Sequence, residues 1–287
     1  MNPASTGGTK RAFTLIELLV VAAIIGLLVA LLLPALSALS AAKHHGWDAR
    51  CVSNLRQLSV ASVVYMDEAG KTISASRTNN LASWVGCLRP CGVTGNLLLC
   101  PATRAPERPP SPDAQDPGTA SAPWCAWPPG IASAIRGSYS VNGWLLSFDP
   151  SITMNSGWVS PPPPEVRSDP QFVFVGPSSI SRPSQIPLFA DSVWWNEWPL
   201  DFDPPARDLS KGESLDIAGM QRCTIWRHGG KTATSPVILE HNLGGWHIPV
   251  APAINVGFVD GHARMVRVKD LWSLYWHDQW KATGPPH

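Results

Sequence analysis

The chain has 287 residues, a charged fraction of 15% and a formal net charge of +1. That length allows one or two domains with a sizeable core. The near-neutral balance excludes a protein held to nucleic acid by a global basic field. The 29 prolines predict long irregular connections, and the 14 tryptophans predict either a packed interior or an interaction surface. The six cysteines, Cys51, Cys87, Cys91, Cys100, Cys125 and Cys223, contain no CxxC pair, so no zinc knuckle is announced by spacing.

A short polar leader ending in Lys10-Arg11 precedes an apolar run over residues 13–33. As a helix, those residues span roughly 31 Å at about 1.5 Å per residue, the thickness of a bilayer core. The basic pair before the run favours a cytoplasmic N-terminus and an exported remainder. A secretory signal peptide, cut among the small residues 38–42, is the competing reading. The apolar run is long for such a peptide, and it holds a carboxylate, Glu17. A carboxylate in a membrane segment implies a cationic partner. A chain cut between Ala12 and Phe13 would supply one, an α-amine about one helical turn from Glu17.

Arg11-Ala12 followed by "FTLIELLV" resembles the type IV prepilin signal of pilins and type II secretion pseudopilins. The resemblance implies cleavage by a prepilin peptidase before Phe13 and N-methylation of Phe13. It also implies that Glu17 registers subunits during filament assembly, and that Pro34 is the helix-kinking proline. The residue before the cut is Ala12, where glycine is usual. The implied partners are the peptidase, other pilin-like subunits and the inner-membrane assembly platform. The implied location is the bacterial inner membrane, single-pass with the head periplasmic, and then a periplasmic or surface filament.

Cys51, Leu55, Leu58 and Tyr65 recur at intervals of 4, 3 and 7 and mark one apolar helix stripe beyond the membrane segment. Gly70 fits the position just after the helix end, and Pro34 and Gly46 are the expected bends. The expected organisation is a leader over 1–12, a helix over 13–70 and a head over 71–287. The expected fold class is α+β and pilin-like, with the helix packed on an antiparallel sheet. Proline-rich loops are expected over 101–130 and 159–170. Short strands are expected at 172–175, 188–191, 223–226 and 237–239. Asp260-Gly261 predicts a two-residue hairpin turn pairing Val259 with His262 and Val256 with Met265, with Val256, Phe258, Ala263 and Met265 on one apolar face. An aromatic tail over 270–280 is expected to cap the sheet.

The pieces "CVSNLRQL", "LLLCPA", "SYSVNGWL", "RHGGK" and "NVGFVDGHARMV" are similar to bacterial pilin-like proteins with an H-X9-DG region. The matching histidine, His228, lies farther upstream of Asp260-Gly261 than that spacing.

Asp191, His228, Asp260 and His262 are the candidate metal ligands, and calcium is the ion the resemblance implies. The competing reading makes Asp260 a turn residue and His228 a backbone-bonded loop residue. Export predicts one disulfide among Cys87, Cys91, Cys100 and Cys125, with the other thiols buried. Cys51 reads as core. There is no GxSxG and no phosphate-binding loop, so no catalytic residue is nominated. The expected function is filament assembly without catalysis or cofactor. The alternative is a membrane-anchored extracytoplasmic module binding sugar or DNA through Trp194, Trp195 and Trp198.

Overall fold

The computed structural model describes residues 14–74, 84–104, 116–126, 134–147, 172–174, 176–213, 219–242, 245–282 and 284–286. The chain divides into two compact units, residues 1–43 and 44–287. Helix α1 (Leu15–Ala69) contributes to both.

In the first unit, the described part is the start of α1. Its side chains are exposed wherever they are described, from Leu15 to Leu33 and beyond. A helix apolar on all sides and covered by no protein has the character of a lipid-facing segment. The helical assignment continues through Pro34 and Gly46, the two expected bends. Proline at 34 removes one hydrogen bond of the helical ladder without ending the helix.

In the second unit, α1 turns amphipathic. Cys51, Leu55 and Leu58 are fully buried, while Arg56, Gln57 and Val60 face outward. The helix stops at Ala69, and Gly70 takes a φ of 63°, the left-handed conformation that closes a helix end.

The head is built on a five-stranded sheet of order β11-β10-β6-β4-β7. Its strands are β4 (Tyr139–Asn142), β6 (Pro187–Asp191), β7 (Asn196–Glu197), β10 (Ala253–Phe258) and β11 (Ala263–Arg267). All neighbours are antiparallel except β4 and β7. The expected strand over 188–191 is β6, central and wholly buried. Small pairs flank the sheet: β1 (Ile73–Ser74) with β5 (Leu146–Ser147), β2 (Trp124–Ala126) with β3 (Ile135–Gly137), and β8 (His241–Asn242) with β9 (Gly245–Trp246). A short helix, α2 (Trp84–Leu88), buries Trp84 and Leu88. A long helix followed by a β-rich head is an α+β architecture.

Period-two alternation gives the sheet two covered faces. Tyr139, Val141, Phe189, Asp191 and Gly257 look toward α1. A side chain at Gly257 would meet the Ser59 hydroxyl at 2.4 Å and the Leu55 carbonyl at 3.2 Å, so glycine here lets helix and sheet approach. Ile254, Val256 and Phe258 look the other way, into a core with Trp272, Trp276 and Trp280. The aromatic tail therefore covers the face opposite the helix.

The hairpin β10–β11 exists, but its register differs from the two-residue-turn expectation by one residue. Val256 pairs with Arg264, and Asn255 with Met265. The loop is Val259-Asp260-Gly261. The Gly261 N–H donates to the Phe258 carbonyl (3.0 Å), the Phe258 N–H donates to the His262 carbonyl (2.8 Å), and Gly261 has φ 89°. This is a tight turn followed by a left-handed glycine, the usual three-residue hairpin loop. The slip breaks up the predicted apolar face. His262 stacks on Phe258 with ring centroids 4.2 Å apart, and Arg264 lies over the same ring. Met265 is left largely exposed.

Three other expectations change. Residues 223–226 follow a 3-10 turn (Met220–Arg222) and form no strand. Ile238 makes a lone bridge to Asp208, and residues 172–174 are not extended into a sheet. These segments send their backbone bonds to loops, such as Leu209 N–H to the Val237 carbonyl. The span read as loop over 101–130 contains β2; its residues 105–115 and 127–130, with all of 159–170, lie outside the described residues.

Candidate functional site

At the start of α1, Thr14 and Glu17 bond reciprocally. The Thr14 backbone N–H donates to the Glu17 Oε2 at 2.8 Å, and the Glu17 N–H donates to the Thr14 Oγ1 at 3.3 Å. The Thr14 hydroxyl also donates to Oε2 at 2.9 Å. This is a capping box, which satisfies donors that the first helical turn leaves open. Ala12 and Phe13 lie outside the described residues. Pro34 lies within α1, and its side-chain surroundings are not among the described features.

A second constellation lies wholly within the head. Cys51 projects from the buried stripe of α1. Cys100 follows the 3-10 turn Gly95–Leu98. Asp191 ends β6 on its helix-facing side, and His228 is held by a bridge to Ala253. The Cys51 and Cys100 Sγ, one Asp191 oxygen and one His228 ring nitrogen all lie within 4.8 Å of one another, and all four residues are buried. His228 Nε2 is 3.2 Å from Asp191 Oδ2 and 3.4 Å from Cys100 Sγ. The Cys51 Sγ is 3.7 Å from both Asp191 oxygens.

A shell of partners fixes these four. His228 Nδ1 bonds Asp48 Oδ1 at 2.5 Å. The Tyr139 hydroxyl donates to Cys51 Sγ at 3.2 Å. The Asn255 N–H donates to Asp191 Oδ2 at 2.7 Å. Arg227 donates from Nη1 to Asp191 Oδ1 at 3.1 Å, and its remaining N–H groups go to the carbonyls of Thr119, Ala120, Ser138 and Ser192. A guanidinium this buried is tolerated because its whole donor fork is matched.

The electrostatics follow from that crowding. Burial pushes the Asp191 carboxyl up, but His228 and Arg227 outweigh it and hold it below its ordinary range. Burial pushes His228 down, and the carboxylates of Asp191 and Asp48 raise it well above the usual imidazole value. Burial drives the Cys51 thiol well up. The same burial acts on Cys100, but the Cys51 thiol and the His228 imidazole favour its thiolate and bring it down to about 6. One thiolate-prone sulfur beside an imidazole is therefore built into the resting cluster.

Of the four ligand candidates read from sequence, the structure brings together Asp191 and His228. Asp260 and His262 sit at the exposed β10–β11 loop, where Asp260 Oδ1 accepts from both the His262 N–H (3.1 Å) and its Nδ1 (2.5 Å). All six thiols are free. Cys100 lies in the cluster, Cys87 donates to the Ser74 carbonyl at 2.9 Å, and Cys125 belongs to β2. Sequence reasoning missed Asp48 and the part played by Cys51. Asp48, Cys51 and Leu55 follow one another at intervals of 3 and 4, so Asp48 extends the buried stripe by one turn.

The tryptophans proposed as an exposed binding platform are interior. Trp194, Trp195 and Trp198 are all buried, and Trp198 packs edge-on against Trp144 at 5.1 Å between ring centroids.

Residues 8–33 match the family described as the prokaryotic N-terminal methylation motif. No curated protein and no solved structure matches the chain. The match covers Lys10-Arg11, the Thr14–Glu17 pair and the apolar start of α1, and it supports a likeness of this N-terminal segment to type IV pilin-like proteins.

Proposed function

We propose that the protein is a structural subunit of a type IV pilus-like or type II secretion pseudopilus filament. The observation that carries this reading is the methylation motif over residues 8–33, with Glu17 set one turn into an uncovered apolar helix. In this reading prepilin peptidase cuts between Ala12 and Phe13, and Phe13 is N-methylated. The subunit waits in the inner membrane as a single-pass protein with its head in the periplasm. The assembly platform then extracts it into a bundle of like helices.

Registration follows from electrostatics. The apolar face of α1 packs equally well at several offsets, because van der Waals contact among aliphatic side chains is non-directional. A carboxylate is not indifferent to offset. Buried without a partner it costs about 2.5–3.5 kcal/mol at membrane depth. Paired with the Phe13 amine of a neighbour, that cost is removed, so one offset is selected. Before assembly, Thr14 satisfies Glu17 within its own chain. The neighbour's amine takes over an acceptor that its own chain leaves uncovered and already holds in place.

Interior placement of Trp194, Trp195 and Trp198 supports packing and not sugar or DNA stacking as their use. The chemistry of the function is assembly, with no catalytic step. Its test is incorporation of Glu17→Leu into filaments beside the unaltered chain. The variant should insert in the membrane normally and be largely excluded from sheared filaments; equal incorporation of both chains would contradict the role given to Glu17.

A further inference from the structure

Cys51, Cys100, Asp191 and His228 do more than fill the interior. We propose that they form a closed, four-coordinate structural site for a zinc-class divalent ion, with Asp48 as the residue that positions His228. The site lies in the head, and the inference stands independently of the filament reading.

The distances carry it. Zinc binds thiolate sulfur at about 2.3 Å and imidazole nitrogen or carboxylate oxygen at about 2.0–2.2 Å, in a tetrahedron. Neighbouring ligand atoms on such a tetrahedron are therefore about 3.3–3.8 Å apart. The spacings found are 3.2 Å for His228 Nε2 to Asp191 Oδ2, 3.4 Å for His228 Nε2 to Cys100 Sγ, and 3.7 Å for Cys51 Sγ to Asp191. Three of the six edges of one coordination tetrahedron already stand near their bonded lengths, and the other three pairs lie within 4.8 Å.

The surroundings have the form expected of a metal shell. A ligating histidine gives its other nitrogen to a carboxylate, which fixes ring and tautomer. His228 does this with Asp48, leaving Nε2 directed at the Cys100 sulfur and Asp191. The Tyr139 hydroxyl, the Asn255 N–H and the Arg227 guanidinium aim donors at Cys51 and Asp191. Charge also closes. Two thiolates and the Asp191 carboxylate are offset by a divalent ion and the Arg227 guanidinium, which leaves the one charge of Asp48 at the partly exposed side of the site. Binding displaces the proton that Cys51 and Cys100 still carry between them and the Nε2 proton of His228.

The donor set selects the ion. Two sulfurs and an imidazole favour zinc over calcium, which takes six to eight oxygens. All four ligands are protein atoms and all are buried, so no open position remains for substrate, and the ion is structural. A Cys51–Cys100 disulfide is the competing fate of the two thiols in an oxidising compartment. It would use two of the four groups and give no reason for the convergence of Asp191 and the Asp48-held imidazole.

The test uses the full-length chain purified in detergent. Metal content is measured by plasma mass spectrometry, with free thiols titrated in denaturant. About one zinc per chain and no Cys51–Cys100 disulfide are expected. After chelation, Co(II) should give a thiolate-to-cobalt charge-transfer absorption that is lost in Cys51→Ser and in Cys100→Ser but kept in Cys91→Ser. Asp48→Asn, at a partly exposed position whose substitution preserves shape, should keep that absorption and weaken zinc binding by about 10–100-fold. A metal-free chain that takes up no zinc, a Cys51–Cys100 disulfide in the native chain, or undiminished cobalt absorption in both serine variants would each overturn the proposal.

Discussion

Thr14 caps α1, and Glu17, the third residue of that helix, in turn accepts from the Thr14 N–H at 2.8 Å. The relationship makes Glu17 a helix cap, to which the proposed function adds registration within a filament. Thr14→Ala removes the cap and leaves the charge. It should cost the first helical turn about 1 kcal/mol, read as about five-fold faster amide exchange there, with membrane insertion unchanged. Unaltered exchange would separate Glu17 from helix capping.

Arg227 spends its donors on Asp191 and on four backbone carbonyls. Arg227→Met strands those acceptors and one buried carboxylate. Thermal or urea unfolding of the full chain should show a loss of about 3–5 kcal/mol. Arg227→Lys should recover little, because an ammonium cannot reproduce the planar fork. A near-neutral Arg227→Met would show that water reaches the Asp191 site.

His277 is enclosed by Trp144, Phe172 and Trp280, with ring centroids 5.5, 4.7 and 5.1 Å away. Neither ring nitrogen has a hydrogen-bond partner among the described residues, and burial lowers its pKa from 6.5 to about 4. The unfolded chain therefore takes up a proton first as the pH falls. Stability from this group is present above about 6.5 and is lost between there and about 4. Replacement by phenylalanine should remove a pH-dependent loss on the order of 3 kcal/mol over that window. Parallel stability–pH curves for His277→Phe and the unaltered chain would contradict it.

Gly257 and Ser59 set the closeness of sheet and helix. Gly257→Ala places a methyl 2.4 Å from the Ser59 hydroxyl and should destabilise the chain by about 1–3 kcal/mol. Adding Ser59→Ala should restore part of the loss, since the Leu55 carbonyl contact at 3.2 Å persists. Full additivity of the two changes in unfolding measurements would show that they do not meet.

The local features of this fold were legible because they are written in neighbouring residues. The uncovered apolar run, the stripe of Cys51, Leu55 and Leu58, and the stop at Gly70 all follow from spacing alone. The β10–β11 hairpin was legible, but its register was not. Asp260-Gly261 suits both a two-residue turn and the end of a three-residue loop, and one residue of slip exchanges the faces of a strand. Capping of Glu17 by Thr14 is legible as T-x-x-E. The convergence of Cys51, Cys100, Asp191 and His228 had no local signature. Its members lie 49, 91 and 37 residues apart in chain order, and tertiary packing brings them together: α1 on the sheet sets Cys51 against Asp191, and the bridge to Ala253 holds His228 there.

The central claim is that residues 1–12 are a leader and Phe13 becomes the working N-terminus. Mass spectrometry of the N-terminal peptide from the native protein tests it directly. The account predicts a chain that begins at Phe13 with a methylated α-amine. A chain that begins at Met1, or one cut near Ala42, would contradict it.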